Sequence, residues 1–143
     1  MGFLDSLLGG EKSEEDSFDK KSTNPFSVSL AFSPLRLSAN QHNSVDLIVK
    51  VKNISPETHL LSVDASLPKD AMLGFDEACI NKATEKRVGE IGSGEFAEVP
   101  IRIWANNQTK EGNYGVGVTV YSHYIGFDKV LSYTKKSAYL RTV

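Results

Sequence analysis

A single cysteine, Cys79, gives this chain of 143 residues no internal disulfide, which fits a reducing compartment better than an oxidising one. Its three histidines, His42, His59 and His123, are far apart in the sequence, and none has a second ligand at the spacing a metal site needs. No apolar run approaches the roughly 18–20 residues of a transmembrane helix. A formal net charge of −2 supplies no excess of cations to neutralise phosphates, so nucleic acid is not an expected partner. The first ten residues contain no lysine or arginine, and their apolar stretch is short and broken by Asp5, which argues against an export signal. No Gly-x-Ser-x-Gly elbow is present. Glu85, Glu90, Glu95 and Glu98 alternate with basic and apolar residues, as on a solvated strand face. No catalytic residue, no metal and no cofactor are expected, and the expected location is cytoplasmic, with contact at the membrane periphery.

What is present divides into three parts. Residues 1–10, MGFLDSLLGG, place Phe3, Leu4, Leu7 and Leu8 on one face of a short helix stopped by Gly9 and Gly10. Residues 11–24 are nearly free of apolar side chains, and the stretch 11–21 carries five acids and three lysines. That composition predicts a flexible acidic linker. From Pro25 the apolar period changes to two, the signature of half-buried strands. Phe26, Val28, Leu30 and Phe32 form one such series. Val45, Leu47, Val49 and Val51 form the next, and Leu61, Val63, Ala65 and Leu67 a third. Residues 69–84 show no clean period and predict a crossover with a short strand or turn. KRVGEIGSGEFAEVPIRIWA predicts two strands about a Gly-rich turn, YGVGVTVYSHY another strand, and VLSYTKKSAYLRTV one or two more. Strands in such numbers, with turn signals every 8–12 residues and no room for a crossover helix, predict an all-β antiparallel sandwich of about seven strands over 25–143.

The stretch from about Leu47 to Tyr121, about half of the chain, resembles the prokaryotic Ig-like domains that accompany carbohydrate-active enzymes and cell-surface proteins, the NPCBM-associated alpha-galactosidase-type and CARDB-like groups. VKVKNISPE, VGEIGSGEFAEVPIRI and TKEGNYGVGVTV carry the likeness. The resemblance implies an Ig-like sandwich with Tyr114 as a corner residue.

Two candidate contact features follow. Arg102 and Trp104 face outward from one strand, and Gly115, Gly117, Thr119, Tyr121 and His123 share the outward face of another. Were those strands neighbours, the glycines would leave a shallow groove beside Trp104 and Tyr121. Trp104, Tyr121, His123 and Arg102 are therefore the expected surface patch, since Trp and Tyr are typical interface anchors. The second feature is the N-terminal helix. Burying Phe3, Leu4, Leu7 and Leu8 gains about 1.5–3 kcal/mol each, and ordering each residue costs about 1–2 kcal/mol, so one helix binds weakly and several copies act together. Its partner is a hydrophobic groove on a protein or a membrane surface; the acidic linker works against an anionic one. The sequence thus predicts a non-catalytic binding or adaptor protein whose partner is another protein, with weak peripheral membrane contact and self-association as further outcomes. The alternative is an exported structural or glycan-contacting accessory module.

Overall fold

The computed structural model describes residues 25–143. The expected helix with Phe3, Leu4, Leu7 and Leu8 and the linker over 11–24 lie outside the described residues. Nine strands follow in order: β1 (Phe26–Ser33), β2 (Arg36–Leu37), β3 (Asn43–Asn53), β4 (His59–Ser66), β5 (Leu73–Gly74), β6 (Ala83–Ile91), β7 (Phe96–Ala105), β8 (Gly112–His123) and β9 (Val130–Thr142). Seven are long, and β2 and β5 are two-residue pieces. They form two sheets, ordered β1-β3-β7-β5 and β2-β9-β8-β4-β6. All pairings are antiparallel except that of β2 with β9. The fold is an Ig-like β-sandwich.

The period-two series form its core. Leu47, Val49 and Val51 of β3 and Ile101 and Ile103 of β7 face Leu61 and Val63 of β4 and Val116, Val118 and Val120 of β8, all fully or almost fully buried. Each such side chain contributes about 1.5–3 kcal/mol of transfer free energy. The chain alternates between layers as an Ig topology requires. Leu37 of β2, close behind the first strand, sits in the other sheet and is buried, while Leu35 remains exposed. The irregular stretch 69–84 crosses from β4 to β6, which begins at Ala83, and before β6 only Leu73–Gly74 is paired, with the end of β7. The Lys82 ammonium binds the carbonyls of Ala71, Leu73 and Cys79 there. Asp76 accepts the amides of Ile80 and Asn81, bonds that hold its carboxyl below the usual range. Gly74 lies so close to the Cys79 backbone that a Cβ would stand 2.4 Å from its Cα.

The Gly-rich turn at 91–95 does not close a hairpin. β6 pairs with β4 and β7 with β3, so the turn is an arch between layers. Gly94, at φ +80°, makes the left-handed step. Buried Asn53 ties this arch to the β3–β4 loop: its side-chain amide donates to the carbonyls of Glu57 (2.7 Å) and Ile91 (2.9 Å), and its Oδ1 accepts from the amide and hydroxyl of Ser55. Tyr114 fills the expected corner role, its hydroxyl donating to the Lys110 carbonyl at 2.6 Å.

Candidate functional site

Because β7 and β8 belong to different sheets, the expected patch of Trp104, Arg102, Tyr121 and His123 does not exist as one surface. Alternation put all four outward, but outward from opposite faces of the sandwich.

On the four-stranded face, Trp104 is a packing residue. The His42 ring stacks on it at 5.1 Å and 17°, and the Arg102 guanidinium lies 5.9 Å from its centroid. Arg102 donates to Asp46, its cross-strand partner, at 3.1 Å, and His42 faces Glu77 at 3.5 Å. The indole is half-buried and its facing strand position is Gly74. The ring over a strand glycine on the other face is Tyr139, whose Cε1 is 3.8 Å from the Cβ position of Gly115.

The five-stranded face carries the more open chemistry. Its register sets side chains in rows across β6, β4, β8 and β9. One row runs Arg87, Ser62, Tyr121, Tyr133; the next Glu85, Asp64, Thr119, Lys135; the third Ala83, Ser66, Gly117, Ser137. Two open depressions adjoin at Ser66, Gly117 and Thr119. One, of about 420 Å³, reaches Asp64, Glu85 and Tyr121. The other, of about 370 Å³, reaches Lys135, Lys136 and Ser137. Gly117 keeps the floor low, since a Cβ there would stand 2.9 Å from the Ser66 hydroxyl. The groove expected beside Trp104 required β7 and β8 to be neighbours; the depressions at Gly117 are instead lined by Asp64, Glu85, Tyr121, Lys135 and Lys136. Asp64 and Glu85 face each other across β4 and β6 with no ion-pair partner among the described residues. Burial, then the neighbouring Glu85 charge, pushes the Asp64 carboxyl up, and His123 opposes the rise. The outward alternation of Ser62, Asp64 and Ser66 was visible in the sequence; their opposition to Glu85 was not, since a bulge between Leu61 and Ser62 shifts that register.

His123, expected on the surface, is buried. Its Nδ1 lies 3.3 Å from the Lys129 carbonyl, which only accepts, so Nδ1 carries the proton and Nε2 accepts from the Ser62 hydroxyl at 2.7 Å. The distance suits a nucleophile and base, but Ser62 is fully buried and no substrate reaches it. A second pair, His59 Nδ1 and Ser122 Oγ at 2.8 Å, lies beside Phe26. Both pairs fasten β4 to β8. Among the described residues no three His, Cys, Asp or Glu side chains gather as a metal site would require.

No family model matches the chain, and no curated protein matches it. Solved structures do. The CARDB domain of the PF1109 protein from Pyrococcus furiosus, solved in complex with di-metal ions, is 16% identical, with a TM-score of 0.51 over 88% of this chain and 98% of that one. The C-terminal domain of wzt is 12% identical, with a TM-score of 0.54 over 85% of this chain and 75% of that one. A FixG-related protein from Vibrio parahaemolyticus is 11% identical, with a TM-score of 0.51 over 84% and 98%. The match to the Pseudomonas fluorescens alkylpurine DNA glycosylase AlkC, 14% identical with a TM-score of 0.50, covers 82% of this chain but only 30% of that enzyme. At these identities the likeness is one of fold: residues 25–143 share the Ig-like sandwich of these domains, a CARDB domain among them.

Proposed function

We propose that this chain is a non-catalytic binding or adaptor protein. Its sandwich makes protein contacts through the outer face of the five-stranded sheet, and its N-terminal helix, with Phe3, Leu4, Leu7 and Leu8, docks on a partner protein or a membrane surface. The observation that carries the reading is the open groove at Gly117, with acids on one side and lysines on the other. It has the form of a contact surface for an extended, polar partner, and it lacks the enclosed, apolar shape of a small-molecule pocket. The Ig-like and CARDB-like neighbours support a binding role by analogy of fold. A cytoplasmic site of action agrees with the lone cysteine.

The test is capture from native lysate by the full chain, by Leu7→Asp/Leu8→Asp and by Thr119→Arg, which fills the groove. The reading expects capture to fall in each variant while thermal stability holds. Equal capture by all three refutes it.

A further inference from the structure

We propose that the tip of the β8–β9 hairpin is a membrane contact that inserts into an anionic bilayer surface. The inference deepens the membrane arm of the reading above, and the hairpin can be tested separately from the helix.

The hairpin turns through residues 124–129, closed by the Tyr124 amide on the Lys129 carbonyl at 2.9 Å. Phe127 folds back and fixes the turn to the sheet: it meets the His123 ring edge-on at 5.1 Å and lies 4.9 Å beneath the Arg87 guanidinium. The remaining apolar side chains point to solvent. Tyr124, Ile125, Val130, Leu131 and Tyr133 are all at least half exposed, and Ile125 is 84% exposed. Ile125 also adopts φ 69°, a conformation that disfavours a β-branched residue. The fold gains nothing from a strained, exposed isoleucine there, where Asn or Gly would fit the turn better. Leu131 is the unpaired residue of the bulge between Ser122 and His123 and is 59% exposed.

Three features select lipid as the occupant. The first is composition: tyrosines mixed with aliphatic residues on a projecting loop suit the boundary between headgroups and acyl chains. The second is charge. Within residues 124–136 Lys129, Lys135 and Lys136 outnumber the one acid, Asp128, and none of the three has an ion-pair partner among the described residues, the acids Asp64, Glu85 and Glu90 lying on β4 and β6. Lysines so placed attract anionic headgroups while their stems lie along apolar surface. The third is extent: one ten-residue hairpin falls well short of the roughly 20–30 residues a side of a standard protein interface.

The described chain also begins at this end. His59 bonds Ser122 at the base of the hairpin and packs against Phe26, the first residue of β1. Lasting attachment takes two weak signals, and the helix proposed above would be the second.

The experiment is co-sedimentation of the full chain with vesicles of phosphatidylcholine alone and of phosphatidylcholine with phosphatidylserine. The wild-type chain binds the anionic vesicles more tightly, and salt weakens that binding. Ile125→Glu/Leu131→Glu lowers binding to anionic vesicles at least about tenfold. Ile125→Asn, which suits the left-handed φ and so keeps the fold, lowers it severalfold. Lys129→Ala/Lys135→Ala removes the preference for phosphatidylserine. Wild-type binding by the hairpin variants, with loss only in Leu7→Asp/Leu8→Asp, overturns the inference and leaves the helix reading standing. Loss in the hairpin variants alone supports the inference and removes the membrane role of the helix. No vesicle binding by the wild-type chain, or a hairpin-dependent dimer in solution without it, overturns the inference in favour of a protein contact.

Discussion

Replacing Asn53 by alanine removes one side chain that holds the β3–β4 loop and the inter-sheet arch together. Asn53 is fully buried at the end of β3 and donates to the Glu57 and Ile91 carbonyls. Its backbone already ties the arch, through its amide to Glu95 and its carbonyl to Gly94, and those bonds survive the substitution. Of the four lost side-chain bonds, the two donated ones are worth about 0.5–1.5 kcal/mol each, and leaving the buried Ile91 carbonyl unpaired adds about 1–3 kcal/mol. The sum is about 2–6 kcal/mol, a large part of the stability of a domain this size. At about 3–6 °C per kcal/mol, between the values for smaller and larger domains, the middle of that range lowers the melting temperature by about 20 °C. Thermal unfolding followed by circular dichroism, with a urea titration for the free energy, measures this. Asn53→Asp keeps the acceptor to Ser55 but turns a carboxylate toward two carbonyls, so it is at least as damaging near neutral pH. A loss below about 1 kcal/mol for Asn53→Ala would refute the assignment of Asn53 as the pin of this end.

Other outcomes follow from the same geometry. Asp64→Asn raises stability near neutral pH. The folded carboxyl is raised above its ordinary value of 3.8, so the native state binds the proton more tightly than the unfolded chain, and stability is lost as pH rises through that window. The advantage of the asparagine variant is therefore full above the raised value and vanishes on acidification below the ordinary one, which melting curves across pH will show. Gly94→Ala costs about 1 kcal/mol, because φ +80° is the left-handed region although no atom lies within 4 Å; a neutral result would contradict the backbone described for the arch. Leu47→Ala costs about 2–5 kcal/mol as a core cavity, read by urea unfolding. Trp104→Ala loosens the His42 and Arg102 stack yet leaves vesicle binding and lysate capture unchanged, which binding assays beside a melting curve decide.

The sequence carried the fold further than it carried the surface, and the reason is physical. Alternation is a property of single strands, so Leu47, Val49 and Val51 or Val116, Val118 and Val120 declare their inward face without knowledge of their neighbours. The corner role of Tyr114 came with the resemblance to Ig-like domains, and its bond to the Lys110 carbonyl, four residues back, fits it. Strand order is not local. Trp104 and Tyr121 both alternate outward, and only the pairing of β7 with β3 and of β8 with β4 and β9 shows that they look in opposite directions. The arch at Gly94 has the same cause: a Gly-rich turn between two strands reads alike whether the strands pair or part. His123 was misjudged because the hairpin beyond it folds back and covers it with Phe127. The exposed apolar tip at Ile125 and Leu131 was not legible, since only the strand register shows which apolar residues have no layer to enter. Phe3, Leu4, Leu7 and Leu8 remain a sequence inference, and the binding account depends on them.

The most direct test of that account is hydrogen–deuterium exchange of the full chain, free and in the complex captured from lysate or on anionic vesicles. The account predicts slower exchange in residues 1–10, across the outer face of β8 and β9 from residue 117 onward, and at the 124–131 tip. Protection confined to the opposite face, about His42, Asp46 and residues 100–104, with residues 1–10 and the hairpin exchanging as in the free chain, would contradict it.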